Sequence, residues 1–327
     1  MRCAIIDIGS NTVKMNVYDV TPPDIIKPIL GESATLGLLG YIAGGALSEE
    51  GVTSLCKTIS GYVKLASDIG VTVLRCVATA ALRQTDNADY IIAEVKARTG
   101  CEIDLISGEN EALLGLEGVK SCLGGDDKNG NLAAGNLSAG NLSAGNLAAG
   151  VMIDMGGGST ELVGFIDGRA VRAVSEPFGC LSLFSRFVSG VLPEKSELRE
   201  LRRFVNSRMD GYDWLKNYGE TLYAVGGTCR LIGRMHYELF NNDRQTEYEN
   251  GYAFTRDELK TLYNRFKAPS TDDIRALIRV APDRIHTFVP GLCAINKIAA
   301  ACAAEKLVVC FSGIREGYVR KLLLNEK

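Results

Sequence analysis

The chain contains the acidic, glycine-rich stretch Asp154-Met155-Gly156-Gly157-Gly158-Ser159-Thr160-Glu161. Three successive glycines lack Cβ atoms, so backbone N–H groups can approach an anion closely, and the serine and threonine hydroxyls add donors. The flanking carboxylates are suited to a divalent cation. The apolar run Val151-Met152-Ile153 predicts a buried strand that leads into this turn. A glycine-rich hairpin turn without any ligand is the alternative, and it would be preferred if this stretch stood alone.

A second stretch of the same kind lies near the N-terminus, at Asp7-Ile8-Gly9-Ser10-Asn11-Thr12. When the two stretches are aligned, Asp7 falls on Asp154 and Gly9 falls on Gly156. Each stretch follows an apolar strand and precedes a strand pattern, and the second copy continues as a hairpin with the turn Asp167-Gly168. This internal repeat predicts two similar lobes that present acidic, hydroxyl-bearing turns to a shared cleft. A phosphate chain with its metal ion would suit such a cleft.

The remaining sequence alternates between helix and strand signals, which favours α/β organisation around a mixed sheet. In the first half we predict helices from Ser48 to Gly70, from Asn87 to near Gly100 and from about Glu109, with strands at 71–78 and 102–106. In the second half we predict helical structure from Pro193 towards Tyr218, in 286–304 and in 314–324, and strands at 221–225 and 307–311. Two further small-residue turns, Gly226-Gly227-Thr228 and Ser312-Gly313, follow the last two of these strands.

Composition indicates a protein of enzyme size and excludes little else. The 327 residues have a formal charge of −3 and no basic cluster, so we expect no nucleic-acid or membrane partner; a homodimer is left open. No signal-peptide pattern or membrane-spanning segment is found, and we expect a cytoplasmic protein. Ten scattered cysteines without a CxxC pair predict reduced thiols in the core. His236 and His286, the two histidines, offer little material for a zinc site or a histidine relay.

Residues 124–150 differ in character from the rest of the chain. The pentad Asn131-Leu132-Ala133-Ala134-Gly135 recurs with small changes at Asn136, Asn141 and Asn146. Four pentads would make about one coil of a repeat structure, which cannot bury its own apolar face. We therefore predict a flexible surface loop between an N-terminal lobe of residues 1–123 and a C-terminal lobe of residues 151–327. The last helix of the second lobe is free to pack back on the first.

Seven segments taken together resemble the exopolyphosphatase and guanosine pentaphosphate phosphohydrolase (Ppx/GppA) family. They occur in the order found in that family, and the resemblance extends over nearly the whole chain except the pentad insert. The segments are Asp7–Thr12, Val77–Arg83, Ile106–Ala112, Asp154–Glu161, Gly226–Thr228, Phe288–Leu292 and Ser312–Gly317. The resemblance implies two ribonuclease-H-like lobes of the actin-like, Hsp70 and sugar-kinase superfamily, with the active site in the cleft between them.

The resemblance also implies roles for individual residues. Glu111 matches the proposed catalytic glutamate of the family. The metal site, for Mg²⁺ or another divalent cation, would be formed by the acids Asp7, Asp154 and Glu161. The expected phosphate-binding residues are Gly9, Ser10, Asn11, Thr12, Arg83, Gly156, Gly157, Gly158, Ser159, Gly227 and Thr228.

Ordinary structural roles are available to the same charged residues. Glu109 and Glu111 are both first-turn glutamates favoured by the helix dipole, and without the resemblance they cannot be separated. Each aspartate could simply anchor its turn through backbone N–H groups, and Arg83 could form a surface ion pair. Several small-residue turns facing one cleft make ligand binding the preferred interpretation.

Two features depart from the family pattern. Thr35-Leu36-Gly37-Leu38 stands where many relatives have Arg-Leu-Gly-Glu, so an arginine that contacts phosphate is absent and affinity for long polyanions is in doubt. The chain ends after the two lobes, whereas longer members add a helical region with a histidine-aspartate motif. Two histidines cannot supply that region, so we expect activities that depend on it to be absent.

We therefore predict a Mg²⁺-dependent phosphoanhydride hydrolase that releases the terminal phosphate of inorganic polyphosphate. Within the same family, the alternative is removal of the 5′ γ-phosphate from guanosine pentaphosphate. An actin-like ATP-binding protein or kinase is the alternative of another class, because fold does not fix function. Only Gly226-Gly227-Thr228 hints at the adenosine-binding loop that such proteins need. A polyphosphate-binding regulator without turnover is a third alternative, and the presence of Glu111, Asp154 and Glu161 together argues against it.

Overall fold

The structure is a computed structural model that describes residues 1–21, 25–123, 147–241 and 247–325. Within these ranges the strands are β1 (Arg2–Ile8), β2 (Thr12–Thr21), β3 (Ile25–Thr35), β4 (Ile42–Ala43), β5 (Ala46–Leu47), β6 (Val73–Ala78), β7 (Ile103–Leu105), β8 (Ala149–Met155), β9 (Thr160–Ile166), β10 (Arg169–Glu176), β11 (Thr221–Val225), β12 (Ala253–Thr255) and β13 (Lys306–Val309). The α-helices are α1 (Glu49–Asp68), α2 (Ala80–Arg83), α3 (Ala88–Thr99), α4 (Gly108–Leu123), α5 (Cys180–Phe187), α6 (Lys195–Met209), α7 (Gly226–Phe240), α8 (Arg256–Phe266), α9 (Thr271–Val280), α10 (Ile285–Ala301) and α11 (Ile314–Asn325).

Two mixed sheets repeat the same topology. The first has the order β3-β2-β1-β6-β7, in which the first three strands are antiparallel and β1, β6 and β7 are parallel. The second has the order β10-β9-β8-β11-β13, with the same directions, and adds β12 at its edge. The predicted internal repeat is therefore a structural repeat. One acidic turn joins β1 to β2, and the other joins β8 to β9.

Helices α4 and α11 each pack on the sheet formed by the other half of the chain. Ala112, Leu116 and Val119 of α4 recur at helical spacing and pack on the second sheet beside Met152 and Phe165. In return, α11 packs on the first sheet, in a cluster with residues of β1 and β6. The exchange joins the two sheets through buried apolar surface on both sides of the cleft.

The two helices also contact each other where both carry glycine. A Cβ atom placed on Gly317 would lie 1.9 Å from the carbonyl oxygen of Leu114, and one placed on Gly118 would lie 2.2 Å from the carbonyl oxygen of Gly313. Only glycine permits this approach of the backbones.

The largest apolar cluster lies in the second half of the chain. There α10 is buried along most of its length and packs against α5, α6 and α8. Pro290 lies inside α10 without ending it. All ten cysteines are free thiols, and nine of them are buried, as predicted. None of the helices in the described ranges is long and apolar enough to cross a membrane.

Most predicted elements are present, but several were missed. Strand β3 and helices α5, α7 and α9 were not predicted, and the region 193–218 contains α6 and a separate 3₁₀ helix at Asp213–Asn217. The pentad insert lies mostly outside the described residues, at 124–146. Its last copy does not: Leu147 is buried, and β8 begins at Ala149 rather than after Gly150.

Candidate active site

The two acidic turns close in the same way and face each other. The Gly9 N–H donates to the carbonyl oxygen of Thr12 at 3.1 Å, and the Gly156 N–H donates to the carbonyl oxygen of Ser159 at 3.0 Å. A Cβ atom placed on Gly158 would lie 2.5 Å from Ser10 Oγ, so the two turns approach closely at this point. The backbone of each turn is therefore available to the space between the sheets.

A cavity of about 130 Å³ lies between these turns. Both turns line it, together with the N-terminus of α7 and the turn before α11. The predicted phosphate-binding residues on its wall are Gly9, Ser10, Asn11, Thr12, Gly156, Gly157, Gly158, Ser159, Gly227 and Thr228. The predicted residues Asp7, Glu111 and Asp154 also line it. Sequence stretches far apart in the chain thus meet at one polar cavity.

Four cations on the cavity wall were not expected from the sequence: Lys14, Arg230, Arg284 and Arg315. Lys14 lies directly opposite Asp7 in the β1–β2 hairpin, and Glu161 lies directly opposite Asp154 in the β8–β9 hairpin. The aligned repeat could have revealed Lys14. In each hairpin the residue seven positions after the aspartate is its cross-strand partner, so both side chains lie on the same face of the sheet. Arg230 lies in α7, Arg284 lies directly before α10, and Arg315 lies in α11. The repeat does not point to any of these arginines.

Glu111 lies in the first turn of α4 and is mostly buried, with 12% of its side chain exposed. Arg83 Nη1 donates to Glu111 Oε2 at 2.9 Å and to the carbonyl oxygen of Ile106 at 3.0 Å. Burial raises the pKa of Glu111 to about 7, and the Arg83 charge opposes that rise. Glu109, by contrast, is exposed. The fold therefore separates two glutamates that were equivalent in the sequence.

Asp154 and Asp7 approach the cavity from the two sheets. Burial raises the pKa of Asp154 to about 6, and the nearby charge of Asp7 adds to the rise. Gly226, with a φ of 89°, lies so close that a Cβ atom there would be 2.3 Å from Asp154 Oδ1. Arg315 Nη1 lies 3.1 Å from Asp7 Oδ2. Two carboxyl groups thus line the cavity from opposite sheets. Asp7 is paired with Arg315, whereas burial disfavours the ionised form of Asp154.

Two predicted site residues do not reach the cavity wall. Arg83 pairs with Glu111 and is not among the residues that line the cavity, and its phosphate contact stays a prediction. Glu161 is 1% exposed and accepts a hydrogen bond from Ser175 Oγ at 2.7 Å. Burial, with the charges of Glu111 and Asp154, raises the pKa of Glu161 well above its usual range. Glu161 is not among the residues that line the cavity, and its metal contact stays a prediction.

The carboxylates fit a magnesium ion that is shared with a substrate. Within the described ranges, no three histidine, cysteine or acidic side chains are grouped closely enough to hold a metal by themselves. Mg²⁺ is commonly held by one or two carboxylates, with substrate phosphates and water completing its shell. Asp7 and Asp154 are such a pair, one from each sheet; burial and the charge of Asp7 raise the pKa of Asp154, and a bound cation would favour its ionised form.

The two repeated mixed sheets, with a polar cavity between them, define an α/β protein with the actin-like fold. The chain belongs to the Ppx/GppA phosphatase family, whose sequence model matches residues 26–132 and 139–326. It is therefore classed as a phosphatase, as the resemblance of its motifs implied.

Individual relatives agree with this assignment. Exopolyphosphatase 1 of Mycobacterium tuberculosis is 25% identical over 334 residues, which cover 100% of this chain and 89% of that protein. The crystal structure of the Aquifex aeolicus Ppx/GppA family member superposes with a TM-score of 0.78 at 23% identity, covering 100% of this chain and 99% of that one. An exopolyphosphatase from Cytophaga hutchinsonii gives a TM-score of 0.80 at 18% identity, covering 99% and 98%. Together with the strand order, these structures confirm the predicted fold.

Proposed function

We propose that this protein is a divalent-metal-dependent exopolyphosphatase, which hydrolyses the terminal phosphoanhydride bond of inorganic polyphosphate. One observation carries the proposal: the mostly buried carboxyl group of Glu111 lines a cavity that both glycine turns and four cations also line. Such a cavity combines a proton acceptor with donors for phosphate oxygens, which is what hydrolysis of a phosphoanhydride requires. The relatives named exopolyphosphatase support the same activity.

In this mechanism Glu111 acts as the general base. It accepts a proton from a water molecule while the water oxygen bonds to the terminal phosphorus and the bridging P–O bond breaks. The products are orthophosphate and a chain shorter by one phosphate, and the proton on Glu111 then passes to solvent. A pKa of about 7 leaves Glu111 substantially ionised at neutral pH yet basic enough to take the proton. Arg83 orients its carboxylate and favours the ionised form.

The backbone N–H groups of Gly156 to Ser159, with the hydroxyls of Ser10 and Thr12, are proposed to bind the oxygens of the phosphate that is released. Donors held in place before the reaction stabilise the charge that develops on these oxygens. Asp7 and Asp154 are proposed to hold the divalent cation, which would neutralise charge on the phosphate oxygens when bound. Glu161, behind them, is proposed to support this arrangement from the buried side through its bond to Ser175.

The size of the cavity indicates which part of the substrate it can hold. Small-molecule sites usually occupy about 300–1,000 Å³. The cavity described here, at about 130 Å³, suits terminal phosphate groups, and the rest of either substrate would lie outside it. The preference for polyphosphate is supported by the relatives named exopolyphosphatase.

A single assay tests the proposal. Purified protein with Mg²⁺ is supplied with polyphosphate, with guanosine pentaphosphate, or with ATP and a panel of hydroxyl acceptors, while free phosphate and phosphorylated products are measured. Release of phosphate from polyphosphate is the expected result. Release from neither of the first two substrates would refute the hydrolase, and phosphorylation of an acceptor would establish a kinase instead.

A further inference from the structure

Ser175 of β10 continues a row of polar side chains that begins in the acidic hairpin. In the second sheet Asp154 lies directly opposite Glu161, and Glu161 lies directly opposite Ser175. Cross-strand partners project from the same face, so the three side chains lie side by side across β8, β9 and β10. Ser175 Oγ donates a hydrogen bond of 2.7 Å to Glu161 Oε1. Because Glu161 is buried, this hydroxyl satisfies a carboxylate oxygen that is nearly closed to water.

Helix α4 covers the same face of the sheet. The neighbouring row across the three strands consists of Met152, Val163 and Ala173, each two residues away from a member of the polar row. Side chains two residues apart on a strand share a face. This apolar row packs in one cluster with the apolar residues of α4. The polar row therefore lies next to the apolar contact between α4 and the sheet.

The first residue of α4, Gly108, lies directly against Ser175. A Cβ atom placed on Gly108 would lie 2.4 Å from Ser175 Cβ, so an alanine there would push the start of α4 away from β10. Glu111, the proposed general base, lies in the same helical turn, and its N–H donates to the carbonyl oxygen of Ser107 at 2.9 Å. Ser175 thus contacts both the turn that carries the base and the buried acid opposite Asp154.

We infer that Ser175 is a positioning residue, which fixes Glu111 relative to the acids Asp154 and Glu161. The inference rests on the proposed function, because it concerns the alignment of the proposed base with the proposed cation site. Ser175 is not among the residues that line the cavity, so its loss should leave substrate binding nearly unchanged. It should instead misalign the attacking water with the terminal phosphorus, and small misplacements of reacting groups slow catalysis steeply.

The test is steady-state kinetics of polyphosphate hydrolysis with Mg²⁺, at a temperature where circular dichroism shows every variant to be folded. Ser175→Ala keeps the Cβ atom beside Gly108 and removes only the hydroxyl group. It should lower kcat by about tenfold to a hundredfold and keep KM within about twofold of the wild type. Ser175→Thr retains a hydroxyl group and should retain most of the wild-type kcat.

The matched control is Ser207→Ala on the exposed side of α6. This substitution also removes one hydroxyl hydrogen bond, from Ser207 Oγ to the carbonyl oxygen of Phe204 at 2.8 Å. It should leave both kcat and KM as in the wild type, because α6 does not line the cavity.

Gly108→Ala tests the contact on the other side of Ser175. The added methyl group displaces the first turn of α4, so kcat should fall while KM changes little. In the double variant with Ser175→Ala, the two losses should combine to less than the sum of their free energies, because both act through the position of one helical turn.

Four results would each overturn the positioning role of Ser175. They are a kcat of Ser175→Ala within about twofold of the wild type, a rise in KM that accounts for the whole loss of kcat/KM, a Ser175→Thr variant as slow as Ser175→Ala, and fully additive losses in the double variant. Phosphate release by the wild type would in these cases leave the proposed function standing. No phosphate release by the wild type would overturn the proposed function, and the positioning role with it.

Discussion

Arg83 Nη1 donates a hydrogen bond of 2.9 Å to Glu111 Oε2, and the same nitrogen donates to the carbonyl oxygen of Ile106. The guanidinium thus ties the carboxylate at the start of α4 to the end of the preceding strand. It also opposes the burial that raises the pKa of Glu111 to about 7. Arg83 therefore acts on the proposed base and does not reach the cavity itself.

Replacing Arg83 with glutamine should shift the pH dependence of phosphate release. Glu111 must be deprotonated to accept a proton, so kcat/KM falls as pH drops through its pKa. Removal of the Arg83 charge raises that pKa further, so the acidic limb of the profile moves to higher pH and activity is recovered in more alkaline solution. Arg83→Lys should give a smaller shift. An unmoved limb with a raised KM would indicate that Arg83 contacts substrate directly.

Glu111→Gln should lower kcat by about a hundredfold to ten-thousandfold, the usual contribution of a general base, and leave substrate binding intact. Glu109→Gln is the matched control, since Glu109 lies in the same helical turn with its side chain exposed. We expect it to change activity little. Initial rates and equilibrium binding of polyphosphate measure the two effects. Comparable losses in both variants would mean that the base is assigned to the wrong residue.

Gly317→Ala should destabilise the fold by about 1–3 kcal/mol, or more, because the added methyl group overlaps the carbonyl oxygen of Leu114 where α11 crosses α4. Gly61→Ala in α1 serves as the control. A Cβ atom there meets nothing within 4 Å, and alanine favours a helix over glycine by about 1 kcal/mol. Urea unfolding should move in opposite directions for the two variants. Equal stabilities would show that the two helices are not packed as closely as described.

Deleting residues 131–146 should leave the melting temperature and the specific activity close to those of the full chain, since every described residue is retained. Extending the deletion to Gly150 should destabilise the protein. It would remove the buried Leu147 and the start of β8, where Gly150 packs against the Tyr223 ring. Calorimetry of the two variants tests the difference. A cooperative loss of folding in the shorter deletion would show that the pentads themselves are structural.

A large part of the fold could be predicted from local patterns. The two Asp-x-Gly turns, their apolar strands and their hairpins recur in the sequence, and α1, α3 and α11 begin and end within about two residues of the prediction. Strand β3 and helices α5, α7 and α9 were not predicted. A local signal for α9 is nevertheless present, because Ser270 and Asp273 form a capping box at its start. The end of the insert was misplaced because Leu147 is buried by residues remote in the chain.

The sequence alone determined that two repeated lobes each present a glycine turn with an acid, since strand, turn and hairpin are encoded within about twenty consecutive residues. It also determined the family, through motifs in a fixed order. Only the tertiary structure decided which first-turn glutamate faces the cavity, that Arg83 serves Glu111, that Glu161 is buried, and that Lys14, Arg230, Arg284 and Arg315 converge. These side chains come from elements far apart in the chain. Their burial and mutual charges exist only once α4, α7 and α11 pack against the two sheets.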